Sequence, residues 1–200
     1  MESATRTAAL QLGLSQRQVQ RMTRAGRLAH RDIAGRTLVS SRSVLAASRS
    51  RGRGRPWEEN TVRAACELLE CGETTAMSGS QRSRLRARLR ELSVDALAHQ
   101  VLGARVSLWR ATAASPPSIG DGDGSLTATG SSVHVAVTAS ADDLARQWRL
   151  INDATGQTVL VELDTTATAV VTDIALYAYG DERSSSAARE RLLRRQKTLM

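Results

Sequence analysis

Between Gln16 and Arg24, five side chains could do recognition chemistry by their type and spacing: Gln16, Arg17, Gln20, Arg21 and Arg24. Arginine carries a planar fork of donors that matches a phosphate or a guanine edge in two parallel hydrogen bonds, and glutamine sets a donor beside an acceptor. On a helix, Val19 and Met22 lie three apart on one face while these five occupy the rest of the surface. The segment reads as a short helix whose outward side is polar and able to hydrogen-bond throughout.

Such a helix needs elements that hold it in place, and the flanking residues supply them. Ser15 is the hydroxyl expected at the N-cap, and Gly26 is the residue expected to end the helix in a left-handed turn. Upstream, Ala4 to Leu12 is helix-permissive, with small residues that let a second helix approach, and Gly13 stops it. Downstream, the segments 27–33 and 37–39 flank Ala34-Gly-Arg36, which suits two strands and a tight turn with Arg36 at its tip. Ser40 or Ser41 can cap a third helix carrying Val44 and Leu45. The stretch Ser48-Arg-Ser-Arg-Gly-Arg-Gly-Arg-Pro56 then has no apolar residue to bury. Residues 1–50 therefore form the first expected domain, and 51–57 a basic linker.

Charge separates this end from the rest. Of 28 Lys and Arg residues, 12 fall in residues 1–57 against two acids, Glu2 and Asp32, a surplus of ten. The remainder carries 16 bases and 18 acids. A local cationic surplus is the footprint of a phosphate-binding module, because neutralising phosphates releases counterions. It would also suit anionic lipid, but nearly every base is Arg, which tilts the reading to nucleic acid.

The second part reads as two regions. Residues 58–113 carry apolar positions at helical spacing: Val62, Ala65, Cys66, Leu68 and Leu69, then Leu85, Leu89 and Leu92 behind a Ser80 cap, then a helical continuation from Val94 to Ala113 with Leu97, Val101, Leu108 and Trp109. Residues 114–125, rich in Pro, Gly, Ser and Asp, read as a flexible linker. In residues 126–200, strands are expected at 133–137, 158–163 and 169–171 and helices at 141–150 and 184–199. The fold class is thus α+β: an N-terminal winged helix-turn-helix, a central helical region and a C-terminal mixed α/β region. With 2% aromatic residues and no Phe, the cores must be aliphatic.

Arg82, Arg84, Arg86, Arg88 and Arg90 alternate along one helix, about 200° apart, so they cannot make a single stripe. They solvate the helix; a secondary DNA contact or an acidic partner surface is the alternative. Catalysis finds little support: His30, His99 and His134 are isolated, and Asp121 and Asp123 hint at a calcium loop whose twelfth position is Ser132 instead of Glu. No enzyme activity, metal or cofactor is expected. Cys66 and Cys71 point to different faces of one helix and cannot pair within it. No stretch approaches the roughly 20 apolar residues of a membrane span, and the start lacks a signal peptide's pattern, so the expectation is a cytoplasmic protein with no membrane contact.

Thr7-Ala-Ala, Leu12-Gly-Leu-Ser15, Arg17-Gln-Val-Gln-Arg21, Arg24-Ala-Gly-Arg-Leu28, Gly35-Arg-Thr-Leu-Val39 and Ser43-Val-Leu45 resemble the excisionase and MerR type of winged helix-turn-helix. The resemblance implies that the second helix enters the major groove, with Ser15, Gln16, Arg17, Gln20, Arg21 and Arg24 toward base edges or phosphates and Arg36 near the minor groove or backbone. Arg suits guanine and Gln suits adenine. Arg53-Gly-Arg-Pro56 resembles an AT-hook core that would put Arg53 and Arg55 in a narrow minor groove, with a plain cationic linker as the alternative. With Arg53-Gly-Arg-Pro-Trp57 and Ser78-Gly-Ser-Gln-Arg-Ser-Arg-Leu-Arg-Ala-Arg-Leu89, residues 1 to about 110 resemble actinobacterial AbiEi-like type IV antitoxins. That resemblance implies a sequence-specific, autorepressing transcriptional regulator paired with a nucleotidyltransferase toxin. The alternatives are an excisionase-like recombination directionality or DNA-architectural factor and a protein-binding adaptor. Double-stranded DNA is the expected partner, and a homodimer is left open.

Overall fold

The computed structural model describes residues 2–50, 52, 54–112 and 133–199. Arg53 and the segment 113–132, which holds the expected linker 114–125 with Asp121 and Asp123, lie outside the described residues.

A short strand, β1 (Glu2–Ala4), leads into α1 (Thr5–Leu12), and a turn at Gly13 and Leu14 leads to α2 (Gln16–Arg24). The start of α2 is fixed by a complete capping box, in which the Gln18 N–H donates to Ser15 Oγ at 3.2 Å and the Ser15 N–H donates to Gln18 Oε1 at 2.9 Å. Gly26 follows at φ 67°, the left-handed conformation expected of it. β2 (His30–Ile33) and β3 (Arg36–Ser40) make an antiparallel hairpin whose two-residue turn is Ala34-Gly35, both at positive φ. Arg36 therefore opens β3 instead of lying in the turn. Ser40 caps α3 (Ser41–Arg49) by accepting from the Ser43 N–H.

β1 has no counterpart in the sequence reading. It pairs antiparallel with β3, Glu2 facing Ser40 and Ala4 facing Leu38, so the small sheet runs β1-β3-β2. Ala8, Ala9, Leu12, Val19, Leu28, Val39 and Val44 form one buried cluster beneath these elements.

The larger body contains α4 (Glu59–Cys71), α5 (Gly79–Glu91), α6 (Val94–Leu102), β4 (Val106–Ala111), β5 (His134–Thr138), α7 (Ala141–Gln147), β6 (Leu150–Asn152), β7 (Thr158–Glu162), α8 (Thr168–Tyr179) and α9 (Glu182–Thr198). Its four strands are ordered β5-β7-β4-β6, with β5 parallel to β7 and the other pairs antiparallel. β7 is buried on both faces: Val159 and Val161 join the helical core with Leu69, Leu97, Ile174 and Leu192, while Leu160 joins a second cluster with Trp109, Ala145 and Leu150 under α7. That is why 158–163 reads as a near-continuous apolar run.

Four expectations change here. The helix expected at 141–150 ends at Gln147, and Leu150–Asn152 is strand β6. The helix drawn from Val94 to Ala113 ends at Leu102, and Val106–Ala111 is strand β4, between β7 and β6. Ala169–Val171 lies in helix α8, where burial of Val170, Val171, Ile174, Ala175 and Ala178 at helical spacing outweighs the β preference of valine. α5 begins at Gly79, with Ser78 as an N-cap that makes no side-chain bond, where Ser80 was expected to cap. The segments on either side of 113–132 also share one sheet and one core, since β4 pairs with β6 and β7 and the main cluster runs from Ala46 to Leu199. Among the described residues no helix is long and apolar enough to cross a membrane.

Candidate nucleic-acid interface

α2 owes its orientation to two residues. Val19 is fully buried and Thr23 nearly so, and both anchor the helix on the small core, while the Thr23 hydroxyl donates to Gln20 O at 2.8 Å. With that face fixed, the other side of α2 is set outward: Gln16, Arg17, Gln20, Arg21 and Arg24 are all exposed. Arg27, just beyond Gly26, is exposed as well, and so is Arg36 at the start of β3. Among the described residues, no hydrogen bond or salt bridge engages the guanidinium of Arg17, Arg21, Arg24, Arg27 or Arg36.

The other arginines of this region are committed. The Arg31 guanidinium donates to Glu2 Oε2 at 2.7 Å, tying the hairpin to β1. Arg42 Nη1 donates to Gly156 O at 2.7 Å, and Arg49 Nη1 donates to Gly180 O at 2.6 Å, so both reach from α3 into the body. Ala46, between them on α3, belongs to the main core. α3 thus docks the first fifty residues on the body through packing and two charged hydrogen bonds, and α2 packs on α1.

Ser15 lies at the N-terminal end of α2, but its hydroxyl is occupied, since it accepts from the Gln18 N–H and donates to Gln18 Oε1 at 3.0 Å. Its side chain shapes the helix start. Gln16 is also engaged, its Nε2 donating to Thr5 Oγ1 at 3.1 Å. Thr5 was not among the residues singled out from the sequence, and nothing local could have found it: eleven residues and a turn separate the pair.

Within the stretch read as a basic linker, the described residues Gly54 and Trp57 are held against α6 and Arg105 just past it. His99 Nε2 is 3.1 Å from Gly54 O, the Trp57 N–H donates to Gln100 O at 3.2 Å, and Arg105 Nη2 donates to Trp57 O at 2.9 Å. Arg88 stacks over the Trp57 ring with 5.1 Å to its centroid. Arg55 is exposed beside this anchored segment, and Arg53 lies outside the described residues. Of the alternating arginines on α5, Arg82 and Arg84 are exposed, Arg86 Nη2 donates to Gly72 O at 2.5 Å, and Arg90 Nε donates to Leu199 O at 2.9 Å.

The histidines occupy three separate elements, His30 in β2, His99 in α6 and His134 in β5. Cys66 is buried, and desolvation, helped by Glu70 and Glu67, pushes its thiol up to about 12. It fills space in the core as a neutral group, while Cys71 is exposed. What the α2 face can do is donate: five guanidinium groups, three on α2, Arg27 just beyond it and Arg36 on the hairpin, stand beside the amides of Gln16 and Gln20, ready for acceptors in two-pronged geometry. Compared with protein-family models, curated proteins and solved structures, the chain finds no match in any of the three.

Proposed function

We propose that residues 2–50 act as a winged helix-turn-helix that binds double-stranded DNA sequence-specifically, making the chain a transcriptional regulator. α2 enters the major groove with Gln16, Arg17, Gln20, Arg21 and Arg24 toward bases and phosphates, and the β2–β3 hairpin brings Arg36 to the adjacent backbone. The observation that carries this reading is the set of exposed guanidinium groups on α2 and the hairpin that no acid or carbonyl among the described residues engages, beside other arginines that are so engaged. The antitoxin role rests on the resemblance of residues 1 to about 110; co-purification with a nucleotidyltransferase encoded beside it tests that role.

The deciding experiment is genome-wide binding by the full-length chain and by an Arg17→Ala/Arg21→Ala variant. The expected result is loss of sequence-selected sites with residual nonspecific binding, and a salt dependence weaker by roughly two phosphate contacts' worth of slope. Unchanged site occupancy would overturn the reading.

A further inference from the structure

Gln16 differs from its neighbours on the α2 face. Among the described residues its side chain has a partner, Thr5 Oγ1 at 3.1 Å, whereas the exposed side chains of Arg17, Gln20, Arg21 and Arg24 have none. The two bonded residues hold equivalent places, Thr5 opening α1 and Gln16 opening α2. The bond therefore joins the first turns of two helices whose backbones are already fixed. Gln16 lies inside the Ser15–Gln18 capping box, and Thr5 follows β1, which is paired to β3. Thr5 is half-buried and β-branched, so its hydroxyl has few places to go.

An exposed glutamine ordinarily samples many rotamers and both orientations of its amide, and loses that freedom when it binds. Donating one amide hydrogen to Thr5 narrows the orientations that the Gln16 amide samples. Oε1 and the second N–H remain, and this acceptor–donor pair is the one that matches N6 and N7 of adenine. We infer that Thr5 is a positioning residue for base selection: it orients Gln16 so that α2 favours adenine at one position of its DNA site. The inference rests on α2 being the groove-reading helix.

Selection from a randomised double-stranded DNA library, with the full-length chain and its Gln16→Ala, Thr5→Val and Thr5→Ser variants, tests it. The expected result is an adenine preference at one position that Gln16→Ala abolishes, that Thr5→Val weakens about 5-fold, and that Thr5→Ser retains. Preferences elsewhere in the site, the salt slope and the melting temperature stay as in the unmodified chain. Should Thr5→Val unfold the protein, Thr5→Ala removes the same hydroxyl without adding a methyl and reads the same comparison. If Thr5→Val keeps the preference that Gln16→Ala loses, or if it weakens every position alike, the positioning role falls while DNA binding by α2 stands. If the unmodified chain selects no sequence, the groove reading fails and takes the inference with it.

Discussion

Two helices of this protein are built from arginine at similar density and use it in different ways. On α2, Arg17, Arg21 and Arg24 stand exposed without a partner among the described residues. On α5, Arg86 and Arg90 reach the carbonyls of Gly72, just past α4, and Leu199, just past α9, while Arg88 covers Trp57. A guanidinium at the C-terminal end of a helix satisfies an orphan carbonyl and meets the negative end of the helix dipole. Arg86 and Arg90 thus tie α5 to the ends of α4 and α9, whereas Arg17, Arg21 and Arg24 of α2 have no partner among the described residues. The same division runs through the basic N-terminal segment itself, where Arg31, Arg42 and Arg49 serve the fold. Charge surplus marks a region; the engagement of each guanidinium assigns its work.

The sharpest way to separate the two roles is to break the body without touching the α2 face. Leu192, fully buried on α9 in the main core, is expected to cost about 2–5 kcal/mol of unfolding free energy on Leu192→Ala, read by denaturant titration. Below its lowered melting temperature the variant is expected to keep whatever DNA affinity the unmodified chain shows. A smaller, crossed pair follows. Arg90→Ala should lower stability by about 1–2 kcal/mol, because the Leu199 carbonyl loses a charged donor, and should leave the salt slope of DNA binding unchanged. Arg21→Ala should change stability by less than about 0.5 kcal/mol and lower the salt slope by about one. If the two variants behaved alike, the distinction between α5 and α2 would collapse.

What the sequence makes legible follows the range of the forces involved. The α2 start, its Gly26 end, the hairpin and the α3 cap are local devices, each readable within four or five residues, and they appear at Ser15, Gly26, Ala34-Gly35 and Ser40. The outward face of α2 follows from Val19 and Met22 once the helix is known, while the burial of Thr23 beside them was not anticipated. β1 was not legible, because Glu2-Ser3-Ala4 has no pattern and becomes a strand only by pairing with β3. β4 was hidden for a related reason: Leu108 and Trp109 extend an apolar run that a helix or a strand could own, and the choice is made by β7 and β6 on either side. α8 misleads in the opposite sense, since its valines favour strand until burial on the helical core decides. The arginine partners on α5 and α3 are all distant in sequence, so composition could not tell a committed guanidinium from an exposed one.

A pH-dependent effect lies at the seam between the two regions. Arg42 docks α3 on Gly156 O, and the loop carrying Gly156 is held by Asp153, whose carbonyl accepts from the Gly156 N–H at 2.8 Å. The Asp153 carboxylate accepts from the Thr155 hydroxyl at 2.7 Å, the Thr155 N–H at 2.8 Å and Arg110 Nε at 2.9 Å. These donors, Thr155 foremost, favour the charged form and hold the group down to about 2. A carboxyl depressed in the folded chain contributes stability above its unfolded value near 4, and that contribution is lost as pH falls from there through about 2. Because the carboxylate stands close to solvent, the contribution should not exceed about 1 kcal/mol. Asp153→Asn should therefore flatten the acid limb of unfolding free energy between pH 4 and 2 and shift the plateau above pH 5 by no more than that amount. An acid limb identical to that of the unmodified chain would mean that the loop beneath Arg42 is held without its carboxylate.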